Sequence, residues 1–175
     1  MKIVVDTSSL LSIGFMEVLD ETFDIAEVYI TSIVLKELKE IAGYDDEKSD
    51  TAKRIMELVK DGKIKCFHIK DEQFSEYISR NVDAGEASCL ALCISETVQF
   101  LITDDADAAY SLGRIAMQRG IKIRICVAVL MELVKAGIIT GSDAKEKMNK
   151  LIQQRGWEGG VLEVLVRKYL EENVS

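Results

Sequence analysis

Lys2-Ile3-Val4-Val5-Asp6-Thr7-Ser8 and Phe100-Leu101-Ile102-Thr103-Asp104-Asp105 share one form, a short β-branched or aromatic run that stops on carboxylates. Such runs read as strands. The same composition recurs at three other places, so five strands are expected, at 2–5, 27–31, 63–69, 99–103 and 122–126. Between them the apolar residues change to helical spacing: Val34, Leu38 and Ile41; Ala52, Ile55, Met56 and Val59; Ala87, Leu90, Ala91, Ile94 and Val98. Strand alternating with helix is the pattern of βα units, whose strands pair in parallel beneath helices on both faces. The fold class is therefore α/β with a parallel sheet of about five strands. From 127 onward the pattern is wholly helical, at 127–136, 142–154 and 161–170, with breaks at Gly137, Gly141, Gly156 and Gly159-Gly160. This tail is short for a core of its own and is expected to pack on the α/β unit or on a second copy of it. Its stripe of Val161, Leu162, Leu165, Val166 and Tyr169 needs cover, and a two-fold dimer is the commonest way to supply it.

The chain has 175 residues, 48% hydrophobic and 30% charged, which is the composition of one ordinary globular domain. Lys and Arg number 22 against 30 Asp and Glu, a net charge of −8. That is the wrong sign for coating nucleic acid by bulk charge, so such a substrate would need a local basic surface or metal ions held by the acids. No apolar run approaches the ~20 residues of a membrane span. The first strand reaches Asp6 before a secretory apolar core could form, and a cytoplasmic location is expected. Cys66, Cys89, Cys93 and Cys126 contain no CxxC pair and His68 is the single histidine, which disfavours a zinc site and leaves four reduced thiols as the expectation. Neither a phosphate-binding G-x-x-x-x-G-K-[ST] loop nor a dinucleotide-binding G-x-G-x-x-G is present. A haloacid-dehalogenase-type phosphatase would need a second Asp two residues after Asp6, where Ser8 stands.

The acids carry the chemistry. Groups at the carboxyl ends of parallel strands line the crevice where ligands bind, and Asp6, Asp104 and Asp105 all occupy such ends. Glu37 lies on the margin of one helical stripe, and Glu86 opens another helix. Each has an ordinary role as well: Asp6 and one of Asp104, Asp105 and Asp107 can cap helices, and Glu86 suits the positive end of its helix. Gathered in one cleft they would repel, by roughly 4 kcal/mol per pair at 4 Å and an effective dielectric of 20. A hard divalent cation relieves this, and Mg²⁺ or Mn²⁺ takes carboxylate and water ligands without histidine or thiolate. Such an ion assists phosphodiester hydrolysis by polarising a phosphoryl oxygen and activating water. Trp157, alone between glycines, reads as a packing anchor.

In order and spacing, Asp6-Thr7-Ser8, Val34-Leu35-Lys36-Glu37-Leu38, Gly85-Glu86-Ala87-Ser88 and Thr103-Asp104-Asp105 resemble the acidic motifs of PIN-domain nucleases over about residues 2–126. The tail resembles a branch of that family with extra C-terminal helices. The resemblance implies a three-layer α/β/α fold, with a nuclease domain at 1–126 and a helical extension at 127–175. It implies an endoribonuclease that uses Mg²⁺ or Mn²⁺, with Asp6, Glu37, Glu86 and Asp105 as catalytic acids. The metal would be held by Asp6, Glu86 and Asp105, with Asp104 and Asp107 as rivals, and Thr7 and Thr103 would support the site. Lys36 and Lys39, which flank Glu37, and Arg114 are the candidate contacts to RNA phosphates. The expected partners are RNA, a second copy of the chain and, if the protein is the toxin of a toxin–antitoxin pair, an antitoxin; RNA processing is the other role in view. A catalytically silent scaffold that binds RNA or supports assembly is the alternative.

Overall fold

Ile3, Val4 and Val5 are fully buried although successive strand residues point to opposite faces, so their strand must lie at the centre of a sheet covered on both sides. In the computed structural model, which describes residues 1–173, this strand is β1 (Lys2–Val5). It pairs in parallel with β2 (Glu27–Thr31) on one side and β4 (Phe100–Ile102) on the other. Beyond these lie β3 (Ile64–Phe67) and β5 (Lys122–Arg124), giving a five-stranded, wholly parallel sheet of order β3-β2-β1-β4-β5. Helices α1 (Thr7–Phe15) and α2 (Leu19–Ile25) connect β1 to β2, and α3 (Ser32–Ile41) and α4 (Glu47–Lys60) connect β2 to β3. A short α5 (Asp71–Phe74), a 3₁₀ turn at Ser75–Tyr77 and α6 (Ala84–Ser95) lead to β4, and α7 (Ala106–Gln118) leads to β5. The β1-to-β2 and β2-to-β3 crossovers run one way along the sheet and β4-to-β5 the other. Because parallel crossovers are right-handed, their helices fall on opposite faces, which makes the three layers.

The strands stop where their partners stop. Thr31, the last residue of β2, pairs with Phe67 and then caps α3 by accepting from the Val34 N–H at 3.2 Å. No strand backbone remains for His68 and Ile69, and β3 is shorter than the expected 63–69. In the same way Ile102 pairs with Arg124, so β5 ends before Ile125 and Cys126. Helix α2 had no expectation attached to it. It has no side-chain N-cap and follows Glu17, a non-glycine residue at φ 55°, so the usual start signal is missing.

Helices α8 (Val127–Lys135), α9 (Gly141–Arg155) and α10 (Val161–Asn173) complete the described chain. Leu130, Met131, Leu133, Met148, Leu151 and Val166 are buried in the same apolar core as the sheet. α8 packs on α2, and α9 on α1. Of the apolar stripe on α10, Val166 faces this core, whereas Val161 and Leu165, together with Val164, are exposed. Cys66 is exposed and Cys89, Cys93 and Cys126 are buried, all as free thiols. Among the described residues no helix is long and apolar enough to cross a membrane.

Candidate active site

The connection from β1 leaves toward β2, and that from β4 leaves toward β5, so the gap between their carboxyl ends is a topological switch point, where ligands of open α/β sheets bind. Asp6 follows β1 and Asp105 closely follows β4. The ends are tied together by the Asp6 N–H, which donates to the Ile102 carbonyl at 3.1 Å. A cleft of about 190 Å³ opens here, lined by Asp6, Thr7, Ser8, Glu37, Asp83, Gly85, Glu86 and Asp105. Three helix starts and the middle of α3 thus deliver five carboxylates to one small space.

Asp6 is the N-cap of α1. Its Oδ1 accepts from the Ser9 N–H at 2.7 Å, and the Ser8 hydroxyl lies at 3.2 Å from the same atom. Burial, reinforced by the charge of Asp104, pushes its carboxyl up to about 6, against the opposing hydrogen bonds of Thr103 and Ser9. Capping and a place in the cleft wall coexist in this residue. Glu37, half-buried on α3, accepts from the Thr7 hydroxyl through Oε2. Desolvation raises it, the Thr7 hydrogen bond opposes that, and Asp83 and Glu40 add smaller increments upward. Asp83 and Glu86 form a reciprocal cap of α6: the Glu86 N–H donates to Asp83 Oδ1 and the Asp83 N–H to Glu86 Oε2, each at 2.9 Å. Glu86 is pushed up to about 7, first by burial and then by Asp83, Asp105 and Asp6, while its hydrogen bond from the Asp83 amide acts against the rise. Asp105 caps α7 by accepting from the Ala108 N–H at 2.8 Å.

α3 and α6 are held beside each other by a buried hydroxyl pair, Thr31 Oγ1 and Ser88 Oγ at 2.9 Å, with Ser88 also donating to the Gly85 carbonyl at 2.7 Å. Close approach requires glycine at 85. A Cβ there would stand 2.7 Å from Glu37 Oε1 and 3.2 Å from Asp83 Oδ1.

The remaining candidates lie around this cleft and do not line it. Asp104 is buried, with Oδ1 accepting from the Cys126 N–H at 2.9 Å and Oδ2 without a partner; it joins the end of β4 to the start of α8. Asp107 is exposed in the first turn of α7. Thr103 is buried and accepts from the Asp105 N–H at 3.2 Å. Lys36 points to Glu40 across 4.0 Å at the surface, and Lys39 and Arg114 are likewise exposed. Asp83 is the lining acid that the sequence reading did not single out. Its signal was present, since Asp83-Ala84-Gly85-Glu86 has the spacing of a capping box.

Among the described residues, no three acidic, histidine or cysteine side chains already stand in a metal-holding arrangement, and these carboxylates are engaged with Thr7, Ser9 and one another's amides. Their chemistry nevertheless fits a hard divalent cation. All five are oxygen donors of like charge, none of them pairs with a Lys or Arg among the described residues, and the bare backbone at Gly85 keeps Glu37 and Asp83 in a shared cradle. The profile of the DUF3368 family, a PIN domain, matches residues 2–169. No curated protein matches the chain. The chain belongs to the PIN-domain family, and its fold is nuclease-like.

Proposed function

We propose that this PIN-domain chain is a metal-dependent endoribonuclease that hydrolyses RNA phosphodiester bonds at the carboxylate cleft. The observation that carries the reading is the convergence of five carboxylates, unpaired with any cation among the described residues, at the switch point of the sheet. Asp6, Glu86 and Asp105 are the principal candidates to hold Mg²⁺ or Mn²⁺. When bound, such an ion supplies charge neutralisation for the phosphate and activation of water. Glu37 is suited to orienting the attacking water. The Thr7 hydroxyl occupies its Oε2, while Oε1 faces the bare backbone of Gly85, in the cradle it shares with Asp83. Asp83 holds Glu86 through the reciprocal cap, and Ser8 steadies Asp6. The role is that of a toxin with a cognate antitoxin or of an RNA-processing enzyme. A second copy of the chain over exposed Val161, Val164 and Leu165 belongs to the same proposal, with the mass of two chains expected by light scattering.

The test is cleavage of unstructured RNA. Activity is expected with Mg²⁺ or Mn²⁺ and is expected to vanish with a chelator. Asp6→Asn and Glu86→Gln are each expected to lower the rate by orders of magnitude with an unchanged circular dichroism spectrum. Cleavage that survives complete chelation would overturn the mechanism. RNA binding without cleavage under any divalent ion would favour the silent scaffold.

A further inference from the structure

A nuclease with an acidic cleft and a net charge of −8 must still hold a polyanion, and Lys36, Lys39 and Arg114 do not line that cleft. Beside it, sharing Thr7 and Ser8 as a common wall, runs a second groove of about 430 Å³. That volume lies within the range of small-ligand sites, roughly 300–1,000 Å³. Leu11 and Ile41 give it an apolar side, and Tyr44, Lys48 and Arg155 stand on it.

Arg155 is the unusual member. It ends α9, which Gly156 terminates in the left-handed conformation at φ 63°, and its guanidinium stands over the Trp157 ring, 5.7 Å from the centroid. Its Nε is buried without a hydrogen-bond partner, and among the described residues no carboxylate pairs with it. A planar cation beside an indole, whose terminal Nη donors are taken by no hydrogen bond or ion pair among the described residues, suits a phosphate. Lys48 is exposed on the first turn of α4 and also lacks an ion pair among the described residues. Asp46, the groove's one acid, is occupied in capping α4 through the Ser49 N–H at 2.8 Å. Tyr44, on the loop between α3 and α4, is 69% exposed. Cations interleaved with an exposed aromatic ring are the pattern of single-strand nucleic-acid grooves, where bases stack and phosphates are tracked.

We propose that this groove is the subsite for a nucleotide of the RNA strand next to the scissile bond, with Arg155 and Lys48 on phosphate and Tyr44 beneath the base. The inference rests on the nuclease reading for the neighbouring cleft, and it gives the C-terminal extension a part in substrate binding, since α9 delivers Arg155.

Two measurements separate the two readings. The first is the fluorescence anisotropy of a short labelled single-stranded oligoribonucleotide, in chelator and over a salt series. Arg155→Gln and Tyr44→Ala are each expected to weaken binding roughly tenfold. Arg155→Gln should also flatten the slope of log K against log salt by about 0.7, the loss of one single-strand phosphate contact, whereas Tyr44→Ala should leave it unchanged. The second measurement is Mn²⁺-dependent hydrolysis of bis(p-nitrophenyl) phosphate, a small ester that needs only the acid cleft, and both variants should keep wild-type rates. If Arg155→Gln melts early, Lys48→Gln, at an exposed side chain, is expected to flatten the slope in its place. Wild-type affinity in these variants, no binding by the wild type, or weakened binding with an unaltered slope in both cation variants would overturn the subsite. A wild type that binds RNA but hydrolyses neither substrate would count against the nuclease reading alone.

Discussion

Gly85 and Glu37 share a space that has no room for a methyl group. A Cβ at 85 would meet Glu37 Oε1 at 2.7 Å, and the atom it meets is the end of a flexible side chain, so the carboxylate should swing and the helix should hold. Gly85→Ala is therefore expected to fold with stability within about 1 kcal/mol of wild type, alanine being the better helix former. Its metal-dependent cleavage should fall at least tenfold; thermal melts and RNA cleavage rates check the two halves. At Asp6 the expectation concerns pH. Burial and then Asp104 raise its carboxyl from 3.8 to about 6 in the folded protein, so the folded state binds this proton more tightly than the unfolded chain does. The contribution is fully present below about pH 4 and is lost as pH rises through about 6, on the order of 3 kcal/mol. Glu86, raised to about 7, acts in the same direction. Surface pairs such as Lys65 with Glu27 and Lys150 with Glu17 lower their acids and oppose the trend weakly. The metal-free melting temperature should thus fall between pH 4 and 7. Asp6→Asn, which retains a good N-cap, should flatten that fall, and saturating Mn²⁺ should reverse it by binding the folded state. A melting temperature that rises over this range in chelator would refute the shared-cleft electrostatics.

At the level of elements, the site is a set of helix ends. α1, α6 and α7 each begin with an acid that lines the cleft and serves as the cap, so capping and the cleft wall draw on the same carboxylates. The exception is α3, which contributes Glu37 from its middle and is placed by Thr31 at its start. That hydroxyl accepts from the Val34 N–H and pairs with Ser88 on α6. Thr31→Val keeps the shape and removes both interactions. A loss of about 1–2 kcal/mol is expected, seen as a lower urea midpoint at constant slope. An unchanged midpoint would mean that packing alone sets the angle between α3 and α6.

For the whole molecule, the extension and the α/β unit share one core. Leu130, Met131, Leu133, Met148 and Leu151 are each at most 1% exposed, and full burial of such a side chain is worth about 1.5–3 kcal/mol. A chain ending at 126 would leave the surfaces of α1 and α2 that pack on α9 and α8 open to water. It is expected to lose cooperative unfolding or to aggregate, as calorimetry and sedimentation would record. A cooperative transition from residues 1–126 alone would make the extension an accessory.

The alternation of β-branched runs with helical stripes was enough to read five strands, a parallel sheet and a helical tail, because period and turn chemistry are local properties of the chain. Strands 2–5 and 27–31 carried even their ends, both being flanked by helix starts. Acids at strand ends and helix starts, Asp6, Asp104, Asp105 and Glu86, were legible in the same way; Glu37, in the middle of α3, and the preference for Asp105 over Asp104 came from the resemblance to PIN-domain motifs, and Asp83 carried a capping-box spacing that was there to be used. Which acids share a cleft was not local. Asp104 and Asp105 are neighbours in sequence, yet one turns inward to the Cys126 amide and the other caps α7 at the cleft, a difference set by where the fold brings an amide 22 residues further along the chain. Strand order, the gap between β1 and β4, and the meeting of Arg155 with Thr7 and Ser8 across some 150 residues of chain depend on how helices and sheet bury their apolar faces against each other. No spacing along the chain encodes them, and only the tertiary structure decides them.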